Sequence, residues 1–258
     1  LTTAFMLGAK SHPILTTAKH FPGHGDTSTD SRLDLPRLNH SVSRLAEIEL
    51  PPFQSAIALG VDSIMSAHLS IPAWDKEYPA TLSKEIITGQ LRQNLGFTGL
   101  VVTDALIMGG ITKYAPEEIA VKAIEAGTDI LLMPQDPEVA IAAIYEAVQQ
   151  GRLTEERIFT SLDRIFQAKQ KIFQSDLTPP RIYTTFVEQI DRPEASETVE
   201  GILRESMKMG SNLPLNLEDR CENPQTIIVV DDLLNCPFLA ISSPAVVIAK
   251  KLGYRVQL

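Results

Sequence analysis

The sequence has little of what nucleic-acid-binding, membrane-spanning and disulfide-rich proteins require. Its 258 residues contain 23 Lys and Arg against 32 Asp and Glu, and this net charge of −9 argues against a nucleic-acid partner, which needs a basic face. No apolar run is long enough to cross a bilayer, so we expect no membrane insertion. The two cysteines, Cys221 and Cys236, form no metal-binding spacing, and we interpret them as thiols of a reducing compartment, with the cytoplasm favoured.

A signal peptide is absent as well. The chain begins with Leu1 instead of methionine, so we expect that its native N-terminus is missing. Apolar residues, in contrast, are plentiful. They make up 44% of the chain, which is enough for a sizeable core and for more than one domain.

Short apolar strands alternate with amphipathic helices in residues 1–173. The pattern predicts strands at 13–19, 61–68, 100–104 and 129–133, and helices at 1–9, 43–59, 83–95, 116–126, 137–150 and 154–173. Such alternation predicts an α/β fold with a parallel sheet covered by helices. A complete (β/α) barrel needs eight such units, about 250 residues. The four units found here therefore form either an open sheet or the second half of a barrel whose first half is absent.

The remaining third of the chain has a different character. Residues 174–197 contain three prolines among scattered charges and predict a linker. Beyond it, residues 198–258 predict a truncated α/β C-terminal domain, with a helix at 196–209, strands at 226–230, 238–242 and 254–258, and a helix at 244–252. We expect only the start of this domain to be present.

The most polar stretch is Lys19–Arg32, which reads Lys-His-Phe-Pro-Gly-His-Gly-Asp-Thr-Ser-Thr-Asp-Ser-Arg. Its proline and glycines exclude a helix and let the backbone turn sharply, so the loop displays its polar groups. His20, His68 and Asp104 all fall at or just after the ends of predicted strands. A barrel has its active site at that edge, and an open sheet binds its ligands there. Both alternatives therefore place the chemistry in the same region.

Two motifs carry a family resemblance. Residues 19–25 (Lys-His-Phe-Pro-Gly-His-Gly), followed by Asp30-Ser31, and residues 101–106 (Val-Val-Thr-Asp-Ala-Leu) resemble the β-N-acetylhexosaminidase branch of glycoside hydrolase family 3, as do residues 79–83 and 96–99. The resemblance implies the second half of a TIM-type (β/α)8 catalytic barrel and the start of a second α/β domain. It also implies a retaining glycosidase that releases terminal N-acetylglucosamine from oligosaccharides or cell-wall fragments. No metal or other cofactor and no partner besides a small carbohydrate are expected.

The resemblance also assigns residues. It makes Asp104 the nucleophile that forms a covalent glycosyl intermediate, and it makes Lys19 and His20 ligands of sugar hydroxyls. A retaining enzyme needs a carboxylate beneath the anomeric carbon, and the end of a rigid buried strand suits that task. The alternative role for Asp104 is to cap the turn that follows the strand.

The expected acid/base catalyst is missing. The family uses a histidine in an Asp-Ser-His triplet, in which the aspartate orients the imidazole, whereas residues 30–32 of this chain read Asp-Ser-Arg. Asp30 is therefore retained, but Arg32 stays protonated and has no acceptor atom, so it can serve neither as general acid nor as general base. His24, Asp26 and Asp34 on the same loop are candidate substitutes, although the Gly-His-Gly turn favours a structural role for His24 over catalysis, and the two aspartates fit better as solvated or loop-bonding carboxylates.

Two other side chains have open interpretations. His68 could contact substrate or bond a neighbouring loop, and Trp74 could stack on a sugar ring or pack. Two rival functions also stay open at this stage. Arg32 favours a catalytically impaired homologue that binds sugar without turnover, and the four strands alone allow an open-sheet α/β protein with an unrelated ligand.

Overall fold

A parallel sheet with its strands in sequential order, β1–β2–β3, forms the centre of the fold. The computed structural model describes residues 2–173, 193–209, 227–228 and 256–257. In it, β1 is Thr17–Phe21, β2 is Ser63–Ser66 and β3 is Leu100–Val102. The predicted α/β class is confirmed, and the sequential parallel order is that of half a (β/α) barrel.

The first strand begins at Thr17, later than predicted, and continues to Phe21. Thr16 contributes only its carbonyl to the pairing, by accepting from Ser63 N at 3.0 Å, because its N–H donates to Asp62 Oδ2 at 2.9 Å. At the other end Phe21 is fully buried, and its carbonyl accepts a hydrogen bond from Ala67 N at 2.8 Å. The polar loop consequently starts within the strand, and His20 is part of β1.

The predicted strand at 129–133 is reduced to a single bridge between Val102 and Ile130. A side chain replaces part of the ladder, because Val101 N donates to Asp129 Oδ2 at 2.9 Å. Met133 then turns the backbone away with a φ of 46°. The segment still runs beside β3, and the prediction of a full fourth strand was wrong in its extent.

Helices cover the sheet in the order that the sequence predicts. The first helix, α1, is Thr2–Lys10. It is followed by α2 (Val42–Arg44), which continues as the π-helix Leu45–Glu49, and then by α3 (Pro51–Ala58). A 3-10 turn, Ala80–Leu82, and a second π-helix, Glu85–Asn94, precede β3. The remaining helices are α4 (Pro116–Ala126), α5 (Pro137–Gln149) and α6 (Glu155–Phe173).

Local sequence explains why α4 and α5 match their predicted positions. Each begins with a proline, which lacks the N–H that a first helical turn leaves unpaired. Asp136 caps α5 by accepting from Glu138 N at 2.9 Å and Val139 N at 3.2 Å. Gly127 ends α4 with a φ of 118°, which suits glycine.

The main core lies between the sheet and the helices that precede and follow β2 in the sequence. Its fully buried members include Phe21, Leu45, Ile64, Ile86 and Leu91. Burial of each such side chain stabilises the fold by about 1.5–3 kcal/mol. This packing holds the ends of the strands, and therefore the loops that follow them, in fixed positions.

A buried ionic cluster surrounds Asp129. Its carboxylate, fully buried, accepts from Arg92 Nη2 at 2.6 Å, Ser161 Oγ at 2.6 Å and Arg164 Nη1 at 3.0 Å, in addition to Val101 N. The cluster joins the second π-helix, β3 and α6. Because buried charges require pairing, it acts as one structural unit at the beginning of β3.

The chain divides into two units, Leu1–Pro180 and Arg181–Leu258. In the second unit, helix α7 (Pro193–Met209) begins inside the segment that the sequence predicts as a linker. Strands β4 (Ile227–Ile228) and β5 (Val256–Gln257) pair in parallel. The predicted strand at 238–242, the helix at 244–252 and both cysteines lie outside the described residues. None of the helices described here has the length and hydropathy of a membrane-spanning segment.

Candidate active site

Asp104 follows β3, and its two carboxylate oxygens have different surroundings. Oδ1 accepts a hydrogen bond from Ala105 N at 2.8 Å. Oδ2 lies 3.8 Å from Nε2 of His20, and 13% of the Asp104 side chain is exposed. The turn-capping role considered from the sequence is thus observed for Oδ1, while Oδ2 faces an imidazole.

His20 lies at the end of β1, where the pairing with β2 shifts register between Lys19 and Phe21. Its partial burial lowers the pKa of the imidazole below 6.5, and the nearby Asp104 carboxylate raises that pKa by a smaller amount. The charge of Lys19 lowers the His20 pKa further. We therefore expect a neutral imidazole at neutral pH, which contacts Asp104 as a polar group and not as an ion pair.

Asp30 and Arg32 pair with each other at the surface. Asp30 Oδ1 accepts from Arg32 N at 2.9 Å, and Oδ2 lies 3.7 Å from the Arg32 guanidinium. The Arg32 side chain is 80% exposed. Its contact with Asp30 is a surface ion pair, a class worth about 0–1 kcal/mol.

The backbone of this triplet is held by the loop that follows Asp104. Gly109 N donates to Arg32 O at 2.9 Å and Gly110 N donates to Ser31 O at 3.0 Å. A Cβ at Gly109 would lie only 2.4 Å from the carbonyl oxygen of Leu33. Both glycines are therefore required for the close approach of the two loops.

His24 connects the turn to the triplet. Its Nε2 lies 3.2 Å from Oγ of the buried Ser31, and its ring meets that of His20 edge to face, with 6.3 Å between centroids. His20 thus contacts both His24 and Asp104. Sequence reasoning missed the role of Ser31 in this contact, because a serine inside a polar loop carries no signal of burial.

Asp26 belongs to a charged group on the other side of the loop. Its Oδ2 lies 3.1 Å from His40 Nε2 and 3.2 Å from Arg44 Nη2, and Arg44 also bonds Glu49 Oε1 at 3.2 Å. Gly23 packs on Glu49 so closely that a Cβ there would lie 2.6 Å from the Glu49 Cβ. These contacts attach the polar loop to the helical segment 42–49.

A cavity of about 740 Å³ opens beside β1 and this loop. It is lined by Lys19, His20, His24, Asp26, Arg44 and Glu49 together with apolar side chains of α1 and α3. Lys19 is exposed at its edge. The predicted sugar ligands Lys19 and His20 therefore share one opening, and His20 connects it to Asp104, which does not itself line the cavity.

His68 and Trp74 are both directed inward. The His68 imidazole is fully buried, with Nδ1 2.9 Å from Thr81 Oγ1 and Nε2 3.0 Å from the carbonyl oxygen of Ala105. Trp74 packs, partly buried, against the main core. Among the described residues, no group of three or more His, Cys, Asp or Glu side chains is arranged to hold a metal ion.

Comparison with known proteins gives consistent matches. Residues 1–168 match the Glycosyl hydrolase family 3 N terminal domain, and residues 218–258 match the Bacterial Glycosyl hydrolase family 3 C-terminal domain. Beta-hexosaminidase A of Pseudoalteromonas piscicida is 36% identical over 184 residues, which cover 63% of this chain and 31% of that protein.

Solved structures agree with these matches. A glycoside hydrolase family 3 beta-N-acetylglucosaminidase from Paenibacillus sp. str. FPU-7 is 45% identical with a TM-score of 0.64, over 66% of this chain and 34% of that one. Beta-glucoside phosphorylase BglX is 32% identical with a TM-score of 0.65, over 69% of this chain and 35% of that one. The chain thus spans about a third of the length of these relatives.

Proposed function

Because the chain belongs to glycosyl hydrolase family 3, we propose that it carries the nucleophile of a retaining glycosidase that releases terminal N-acetylglucosamine from oligosaccharides or cell-wall fragments. The named activities of its relatives support this choice, since they include a beta-hexosaminidase and a beta-N-acetylglucosaminidase. The small carbohydrate is the only partner that the proposal requires.

One observation carries the assignment of the nucleophile. Ala105 N holds Oδ1 of Asp104, so Oδ2 is left facing His20, which lines the opening. A carboxylate held by one oxygen presents the other in a fixed direction, as attack on an anomeric carbon requires. Lys19 and His20 border the same opening and donate hydrogen bonds to sugar hydroxyls in this proposal.

The reaction proceeds in two displacements. Asp104 Oδ2 forms a bond to the anomeric carbon while the glycosidic oxygen leaves with a proton, which gives a glycosyl ester. Water then breaks the ester from the opposite face, loses a proton to a base and restores the configuration of the substrate. A neutral His20 suits this sequence, because it leaves the charge on Asp104 available for attack.

Proton transfer is the step of the proposed reaction for which this chain lacks the expected residue. Arg32 cannot supply the proton for a natural leaving group, and its guanidinium is directed to solvent and Asp30. The alternative function is consequently a catalytically impaired homologue that binds sugar. His24 is the substitute acid that the contacts favour, because it lies next to His20 and is bonded to Ser31.

A fluorinated activated substrate tests the proposal. The full-length protein is incubated with a dinitrophenyl N-acetylglucosaminide that carries fluorine at C5, which slows hydrolysis of the covalent intermediate. We expect intact-mass spectrometry to show one added sugar and peptide mapping to place it on Asp104. Parallel assays with and without phosphate identify the acceptor, because BglX is named a phosphorylase.

Asp104→Asn is the matched control, since it keeps the volume of the side chain and its contact with Ala105 N. This variant should form no adduct and should melt at the temperature of the wild type. An adduct on another residue would contradict the assignment. Binding of N-acetylglucosamine without adduct or turnover would instead establish the sugar-binding alternative.

A further inference from the structure

A chain of buried hydrogen bonds connects β2 to the residue after Asp104. Ser66 Oγ donates to Thr81 Oγ1 at 3.1 Å, Thr81 Oγ1 lies 2.9 Å from His68 Nδ1, and His68 Nε2 lies 3.0 Å from Ala105 O. Ser66, His68 and Thr81 are fully buried. The chain is therefore closed to water within the described structure and ends one residue from the proposed nucleophile.

Counting protons fixes the state of the imidazole. A carbonyl oxygen only accepts, so Nε2 of His68 must carry a hydrogen to bond Ala105. Burial lowers the pKa of His68 below 6.5, which leaves the ring neutral and Nδ1 without a proton. Thr81 then donates its hydroxyl hydrogen to Nδ1. Thr81 Oγ1 also lies 3.0 Å from Ala67 O, but the hydroxyl has a single hydrogen; Ala67 O already accepts from Leu69 N at 3.0 Å, whereas an unprotonated Nδ1 has no other donor among these contacts.

The contact at Ala105 acts on the segment that presents Asp104. On the side away from His68, Thr103 N donates to Ile130 O at 3.0 Å and Leu106 N donates to Leu132 O at 2.9 Å. His68 supplies the bond on the β2 side, at the carbonyl of Ala105. The backbone around Asp104 is thus held from both neighbouring strands.

We propose that His68 is a positioning residue, whose neutral imidazole fixes the Ala105 carbonyl and thereby aims Oδ2 of Asp104 at the anomeric carbon. The inference rests on the proposed function, because it requires Asp104 to be the nucleophile. Without the bond to Ala105, the segment keeps its contacts on the Ile130 side and loses its restraint on the other side. The attack geometry then becomes less populated while the sugar ligands stay in place.

The kinetic test uses two substitutions of different reach. In His68→Asn the amide meets Thr81 but is too short to bond Ala105, whereas in His68→Gln the longer amide offers an N–H close to the position of Nε2. With an activated aryl N-acetylglucosaminide, His68→Asn should lower kcat by about 10–100-fold with little change in KM. His68→Gln should recover most of this loss.

Ile86→Val controls for loss of stability, because Ile86 is fully buried in the main core and has no part in the hydrogen-bond chain. This variant should keep the kcat of the wild type. A kcat of His68→Asn equal to that of Ile86→Val, or an equal loss in His68→Gln and His68→Asn, would overturn the positioning role.

The tautomer is measured separately from activity. In protein with ¹⁵N-labelled histidine, we expect the His68 ring to show a protonated Nε2 and an unprotonated Nδ1. A protonated Nδ1 would overturn the inference even in a fully active enzyme. Absence of turnover and of the Asp104 adduct in the wild type would instead contradict the proposed function, and the tautomer would still report on the hydrogen-bond chain.

Discussion

Asp104 and Asp129 lie at opposite ends of the short strand β3 and differ in almost every contact. Asp129 is fully buried and surrounded by guanidinium, hydroxyl and backbone donors. Asp104 is partly exposed, holds one backbone donor and keeps Oδ2 at 3.8 Å from an imidazole. One carboxylate is saturated and the other is left with an oxygen available for chemistry.

The difference shows how one fold separates stability from activity. Burial lowers the pKa of Arg92 to about 10, yet the Asp129 carboxylate raises it, so the pair depends on mutual contact. Removal of one member of such a pair leaves an unpaired buried charge. At the other end, Asp104 has fewer partners and keeps Oδ2 beside His20, as the proposed nucleophile requires.

The largest effect is expected from Asp104→Asn. Because the amide cannot form the glycosyl ester, kcat on an activated N-acetylglucosaminide should fall on the order of 10⁴–10⁶-fold. Thermal unfolding followed by circular dichroism should be nearly unchanged. A clear loss of stability in this variant would show that Asp104 is as structural as Asp129.

Asp129→Asn should show the reverse pattern. The substitution leaves Arg92 and Arg164 near a neutral amide, and it should reduce the free energy of unfolding by about 3–5 kcal/mol. Denaturant titration measures this loss. In the fraction that remains folded, KM should match that of the wild type, and a selective change in KM would mean that the two ends of β3 are coupled.

Arg32→His sharpens the comparison at the active end. Asp30 Oδ2 could orient a histidine at this position by a hydrogen bond, and the histidine could supply the proton that arginine cannot. General acid–base assistance is worth about 10²–10⁴-fold, so kcat/KM on a natural N-acetylglucosamine disaccharide should rise by a factor in this range, with a smaller gain on an aryl glycoside. An equal gain on both substrates would point to a role other than proton transfer. No gain on the disaccharide would leave His24 as the proton donor.

Acid should lower the stability of the folded chain through His68. The folded-state pKa of His68 lies below 6.5, so below that pH the unfolded chain binds more protons than the folded chain. The free energy of unfolding should therefore fall as the pH drops below about 6.5, by at most about 1.4 kcal/mol per pH unit for this histidine. His68→Gln should have a flatter profile. Parallel profiles for both proteins would show that His68 does not carry the pH dependence.

Local signals predicted most of the fold. Pro116 begins α4 and Gly127 ends it, and each is adjacent in sequence to the residues that it affects. The predicted helix 116–126 therefore matches the structure. The strand predicted at 129–133 was too long because side chains replace ladder bonds on both sides of the bridge at Ile130: Leu132 N donates to Thr103 Oγ1, 29 residues away in sequence, and Val101 N donates to Asp129 Oδ2, 28 residues away. No local pattern reveals such a substitution of a side chain for a ladder bond.

The candidate site was predicted only in part, because some of its contacts also join residues that are far apart in sequence. Asp104 and His20 are recognisable from motifs, and the structure brings them together. The partners of His68 were not predictable, because Thr81 and Ala105 lie 13 and 37 residues away. Burial decides their role, and a single sequence does not show which polar residues near a strand end point inward.

The bonds from Gly109 and Gly110 to residues 31 and 32 involve only backbone atoms, so they do not depend on which side chain stands at position 32. The backbone of the loop therefore keeps its position when the side chain at position 32 is exchanged. An arginine codon can become a histidine codon by a single base change, and such a change would leave these backbone hydrogen bonds intact. In the proposed mechanism, loss and recovery of proton transfer at position 32 are then one base change apart, and the backbone bonds that hold the loop do not change.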